Sequence, residues 1–168
     1  MTWVAILMGS ESDWPVMQGA ADTLEALGVG CEVRITSAHR TPRATAEYVT
    51  DAEARGCHAF ICGAGMAAHL AGAVAAHTTK PVIGVPIDSG PLSGFDALLS
   101  TVQMPAGIPV ATVAVGKAGA KNAAFLAAQM LSLSDPALAQ RVRADREANA
   151  ARVAEQNARL AQQRCGKS

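Results

Sequence analysis

The 168-residue chain lacks an excess of either charge: 14 Lys and Arg balance 14 Asp and Glu, and charged residues are only 17% of the total. That balance removes the electrostatic footprint of a nucleic-acid binder. Nor is there an apolar run near the roughly 20 residues that a membrane span needs. The opening "WVAILMGS" shows no basic leader or cleavage pattern, so a cytoplasmic location is expected. Cys31, Cys57, Cys62 and Cys165 form no Cys-x-x-Cys pair. A zinc site or disulfide framework is therefore not expected, and three of the four thiols sit in apolar surroundings suited to a core. Internal repeats and linkers are missing too. What remains is a half-apolar chain of the right length for one globular unit with a real core.

Along it, short β-rich runs alternate with longer helical segments. Residues 3–8, 31–36, 59–62, 81–86 and 110–115 read as strands, nearly continuously apolar as buried parallel strands are. Helical patterns fall at about residues 13–27, 42–55, 66–76, 94–103 and 118–131. Thr41 is placed to cap the second of these, Pro42 fits its first position, and Gly56 ends it. The alternation predicts a three-layer αβα sandwich around a parallel five-stranded sheet of flavodoxin-like order. From Ser134 the pattern changes. Asp135-Pro136 is a start signal for a long arginine-rich helix whose apolar positions, Leu138, Val142, Val153 and Leu160, are too sparse for a private core. Residues 1–133 are expected to form the catalytic α/β unit, and 134–168 an extension laid across a neighbouring subunit.

In an open parallel sheet, ligands bind beyond the carboxyl ends of the strands, where strand order reverses. The loops after the first three strands are "MGSESDW", "TSAHRTP" and "CGAGMAAHLAG". In the first, amides around Gly9, Ser10 and Ser12 suit an anion, and Asp13 could accept from sugar hydroxyls. A plainer reading has Ser12 or Asp13 simply capping a helix. In the second, Arg40 offers a planar fork for a phosphate, Ser37 donates beside it, and His39 has the side chain suited to proton transfer near neutrality. The third, Gly63-Ala64-Gly65-Met66-Ala67-Ala68, matches a dinucleotide fingerprint only loosely, since that fingerprint belongs at the first strand. Its small residues suit close approach of a ligand to the backbone, with His69 just beyond. His58 and His77 have no comparable context.

Taken in order, "MGSESDW", "SAHRTP", "AGMAAHLAG", "PVIGVPI", "LSGFDALLSTVQMPAGIPVATVAVG" and "AKNAAFLAAQML" resemble the class I N5-carboxyaminoimidazole ribonucleotide mutases of de novo purine synthesis. The likeness runs from about Val4 to Leu131. It departs in the third loop, where Met66 and Ala71 stand in place of the family's usual Gly and Pro. The resemblance implies an isomerase that moves a carboxylate from the exocyclic nitrogen of an aminoimidazole ribonucleotide to ring carbon C4, without cofactor or metal.

By the same resemblance, His39 is the general acid and base. Arg40 and Ser37 anchor the phosphate with Ser10, and Asp13 takes the ribose hydroxyls. Gly9, Ser12, Gly63, Gly65, Ala67 and Leu70 are expected around the substrate, with His69 as a second catalytic histidine. Ser89, Leu92, Ser93 and Gly94 are expected to face the carboxylate pocket. A homo-octamer with sites near subunit boundaries is also implied. Two other readings stay open: the related class II carboxylase, which takes free CO2, and a non-enzymatic nucleotide-binding module.

Overall fold

The protein is described by a computed structural model covering residues 2–165. Five strands, β1 (Trp3–Met8), β2 (Gly30–Ile35), β3 (Cys57–Gly65), β4 (Val82–Ile87) and β5 (Ala111–Thr112), make one parallel sheet in the order β2-β1-β3-β4-β5. The chain steps outward from β1 to β2, then crosses back to β3, so strand order reverses at β1. The carboxyl ends of β1, β2 and β3 consequently lie side by side, as the alternating pattern predicts.

Alternate residues of the strands feed two cores. Val4, Ile6 and Met8 of β1 pack with α1 (Trp14–Ala26) and α5 (Lys117–Ser132) on one face. Ala5 and Leu7 pack with α2 (Pro42–Ala54) and α3 (Leu70–Ala75) on the other. Two-sided burial explains the unbroken apolar run of β1, which helical and strand periodicity alone could not distinguish. Contact between α1 and α5 is close because α5 presents Ala120, Ala123, Ala124, Ala127 and Ala128, all fully buried. A helix α4 (Phe95–Val102) covers β4 near the same carboxyl end as the three loops.

Several local expectations are corrected. The edge strand β2 is largely exposed: Val33, Ile35 and Cys31 are open to solvent, so Cys31 is not a core thiol, whereas Cys57 and Cys62 are buried. An edge position has only one neighbouring strand, and here little covers its outer face. The fifth strand is two residues long rather than six, although Val113 and Gly116 still donate to β4 at Gly84 and Pro86. Helix α3 begins at Leu70, not near residue 66, because β3 continues to Gly65 and Met66 adopts a left-handed φ of 55°. Thr41 precedes α2 without capping it. Its hydroxyl turns back to Ser37, accepting from the Ser37 amide at 3.0 Å and lying 3.2 Å from the Ser37 carbonyl.

The last helix, α6 (Pro136–Cys165), starts where Asp135-Pro136 signals it, with Asp135 accepting from the Leu138 amide at 3.0 Å. Leu138 does have a home in its own chain. It is 1% exposed inside the α1/α5 core, Val142 packs beside that core, and Arg141 donates to the Leu27 carbonyl at 2.7 Å. Only Val153 and Leu160 of the expected outward stripe are open. Residues 166–168 and the Cys165 side chain lie outside the described part. No helix of the described residues is long and apolar enough to cross a membrane.

Candidate active site

The first loop turns inward because Gly9 donates to the Gly63 carbonyl of β3 at 3.3 Å. A single 3-10 turn over Glu11–Asp13 follows, with Ser10 at its cap and Asp13, which also holds the N-cap position of α1, completing a capping box; Ser12 caps neither. The Ser10 hydroxyl accepts from the Ser12 amide, while Asp13 Oδ2 reaches back to the Ser10 amide at 3.0 Å. Capping and ligand-facing roles therefore do not compete here. Asp13 is 6% exposed, and burial raises its pKa above the ordinary carboxylate value. Hydrogen bonds from the Ser10 and Gly9 amides and the charge of Arg40 pull the other way without overcoming it.

In the second loop, Arg40 folds over both of its neighbours. Its backbone amide donates to Ser37 Oγ at 3.2 Å, its Nε approaches the same oxygen at 3.4 Å, and its Nη2 donates to the Gly9 carbonyl. The guanidinium thus ties the first loop to the second. It forms no salt bridge among the described residues. A fixed cation beside serine hydroxyls and a capped turn is an arrangement built for an anion.

The third loop brings His69 across to the second. His39 Nε2 and His69 Nδ1 are 2.8 Å apart, with the rings edge to face at 79°. One proton lies between two nitrogens, so whichever ring donates, the other must accept there. The pair can therefore hold and pass on a proton.

These groups surround a cavity of about 480 Å³ lined by Gly9, Ser10, Ser12, Asp13, Ser37, His39, Arg40, Gly65, Ala67, His69, Leu70 and Ser89. Close approach explains Gly65: a Cβ there would sit 1.7 Å from Ser89 Oγ. Gly63 is the exception among the expected lining residues. A Cβ on it would meet Met17 Sδ at 2.3 Å, so it makes room for the core and touches the site only through its carbonyl.

Of the fourth loop, Ser89 reaches the cavity and Leu92, Ser93 and Gly94 do not. Ser93 and Gly94 take left-handed φ values of 52° and 79° in the turn that starts α4, and Leu92 points to solvent. Ala38, Ala64 and Met66 also line the cavity. Their small or apolar side chains carry no chemical signal, and only their positions inside the quoted loops could have marked them.

The sequence profile of AIR carboxylase matches residues 3–152. The chain belongs to that family. An N5-carboxyaminoimidazole ribonucleotide mutase of Brucella melitensis biotype 1 is 58% identical over 152 residues, spanning 90% of this chain and 94% of its own length. The Escherichia coli K12 protein of the same name is 53% identical over 152 residues, 90% of each chain. Among solved structures, Treponema denticola PurE superposes with a TM-score of 0.87 at 34% identity, covering 95% of this chain and 99% of its own. Family membership thus extends over both cores, all the site loops and the first half of α6.

Proposed function

We propose that this chain is an isomerase of purine synthesis. It converts N5-carboxyaminoimidazole ribonucleotide to 4-carboxy-5-aminoimidazole ribonucleotide, with His39 as the proton carrier. The supporting observation is the His39–His69 pair, set at the edge of a cavity whose other wall is the Arg40, Ser37 and Ser10 anion site. The ribonucleotide phosphate lies against Arg40, Ser37 and Ser10, and Asp13 accepts from the ribose hydroxyls. Those contacts convert binding energy remote from the reaction into orientation of the imidazole ring against His39.

The bond between the exocyclic nitrogen and the carboxyl carbon breaks, leaving its electron pair on nitrogen, which takes a proton from His39. The CO2 so released stays in the pocket. Ring carbon C4 attacks it, forming the new carbon–carbon bond, and the C4 proton returns to His39 to restore aromaticity. Atoms and charge balance without any co-reactant. His69 holds the His39 ring and shares its proton between the two steps. Gly65 and Ala67 keep that wall of the cavity shallow, so that the ring and CO2 lie close to the backbone and water has little room.

The same reading takes the working form to be a cytoplasmic homo-octamer. Association of subunits is supported by apolar surface that the single chain leaves open: Phe95, Leu99 and Val102 along α4, Leu133, and Val153 and Leu160 on α6.

The test is an assay of the purified protein with N5-carboxyaminoimidazole ribonucleotide, beside one with aminoimidazole ribonucleotide and bicarbonate. The first substrate is expected to turn over, and His39→Asn to lose several orders of magnitude in kcat while still binding the nucleotide. Turnover of the second alone, or near-normal kcat in His39→Asn, overturns the reading.

A further inference from the structure

Helix α4 carries two adjacent hydroxyls, on Ser100 and Thr101, that no step above uses. Neither lines the cavity. Both face the segment between β3 and α3, more than thirty residues away in sequence. Ser100 Oγ accepts from the Ala68 amide at 2.9 Å, and Thr101 Oγ1 lies 3.4 Å from the Ala68 carbonyl. Each hydroxyl also donates to its own helix one turn back, Ser100 to the Asp96 carbonyl and Thr101 to the Ala97 carbonyl, both at 2.7 Å. A hydroxyl has one proton. Spending it inside α4 fixes the rotamer of Ser100 and leaves its lone pairs aimed at the Ala68 amide.

What this holds is the residue bonded to His69. Ala68 is 2% exposed, preceded by Met66 and Ala67 outside regular structure and followed by His69, the N-cap of α3, whose carbonyl accepts from the Ala73 amide at 2.9 Å. Met66 sits at φ 55°, His69 donates back to the Ala67 carbonyl at 2.8 Å, and α3 starts only at Leu70. The loop therefore has no strand ladder or helix of its own between Gly65 and Leu70. The long-range hydrogen bond to its backbone comes from α4, at the Ala68 amide, beside the side-chain bond of His69 to His39.

We propose that Ser100 is a positioning residue for the isomerase reaction: it fixes Ala68, and through Ala68 the ring of His69 against His39. This rests on the function proposed above only for its kinetic consequence. The mechanical part, that Ser100 sets the histidine pair, stands on geometry alone.

The test uses the full chain in three variants. Ser100→Ala removes the acceptor, Ser100→Thr restores a hydroxyl, and Thr50→Ala is the control, since Thr50 Oγ1 makes the same kind of bond one turn back, to Ala46, on an exposed face of α2 outside the cavity lining. Two readouts are taken. The first is kcat and KM for the mutase substrate: Ser100→Ala is expected to lose about 10- to 100-fold in kcat with little change in KM, as misplacement of a catalytic group does. Ser100→Thr should recover most of that loss, and Thr50→Ala should show none.

The second readout is the rate at which diethyl pyrocarbonate modifies each histidine, followed by peptide mapping. In Ser100→Ala the reaction at His39 and His69 should accelerate several-fold relative to His58 and His77, because the two ring nitrogens no longer shield one another. An unchanged modification pattern overturns the positioning role whatever the kinetics. Faster modification without a loss of kcat overturns its link to the reaction. Absence of mutase turnover in the unaltered protein overturns the proposed function instead, leaving the modification rates to judge Ser100.

Discussion

Leu138→Ala separates the two halves of α6. In this chain Leu138 is 1% exposed inside the core shared by α1 and the alanine-lined α5, against which α6 packs. Truncating a buried leucine costs the transfer energy of the lost atoms plus a cavity term, about 2 to 5 kcal/mol in all. The upper part of that range, about 3 to 5 kcal/mol, applies here. Alanine side chains have no rotamers with which to fill a void, and the helices carrying them are held by the sheet. At a urea m-value of about 2 kcal/mol/M, a loss of about 3 to 5 kcal/mol moves the unfolding midpoint down by about 1.5 to 2.5 M.

Leu160→Ala, by contrast, removes a side chain 57% exposed in the single chain, and its intrinsic cost should stay within about 0.5 kcal/mol. Any further loss at Leu160 must come from another subunit, and would then depend on protein concentration. The assay is urea unfolding followed by far-UV circular dichroism, at two concentrations a hundredfold apart. Equal midpoint shifts for the two variants, independent of concentration, would refute the assignment of Leu138 to the home core. For the same reason a chain ending at Ser134 should be destabilised outright, since it also loses Val142 and the Arg141 bond to the end of α1.

Arg40→Ala should weaken a ligand carrying the 5′-phosphate by about 1.5 to 3 kcal/mol while barely affecting the matching nucleoside; calorimetric titration with both ligands decides, and equal losses rule out a phosphate contact. Asp13→Asn keeps an acceptor for the Ser10 amide but removes a buried charge. Because burial raises the native pKa of Asp13 above its unfolded value, the protonated form is favoured in the fold, so ionisation lowers stability as pH climbs from the unfolded value of 3.8 through the native one. The variant should hence match or exceed the native protein in thermal stability at pH 7, with the gap closing below that window, yet bind the ribonucleotide less well. A variant less stable at pH 7 and equal in acid would reverse the sign. Gly65→Ala forces a Cβ onto Ser89 Oγ and should raise KM by displacing the fourth loop; unchanged kinetics would mean that Ser89 moves aside freely.

Much of this protein is fixed by its residues in order. Alternating apolar runs and helical segments determine a parallel sheet, because a buried strand must satisfy both faces and a crossover helix must cover each. Strand order then places the loops of Ser10, His39 and His69 at one edge, and the residue types in them, an arginine, serines and two imidazoles, suit binding of an anion beside a proton carrier. Other features depend on neighbours that sequence cannot supply. That Gly63 yields to Met17 while Gly65 yields to Ser89 is a matter of which side chain arrives from elsewhere. Leu138 is buried at home because α1 and α5 leave it a gap, and no spacing along α6 encodes that gap. Likewise, the 2.8 Å between His39 and His69 spans thirty residues of chain and exists only because separate loops are packed together. Periodicity reports which face of an element is apolar, but distances between elements are set only when all of them are packed together.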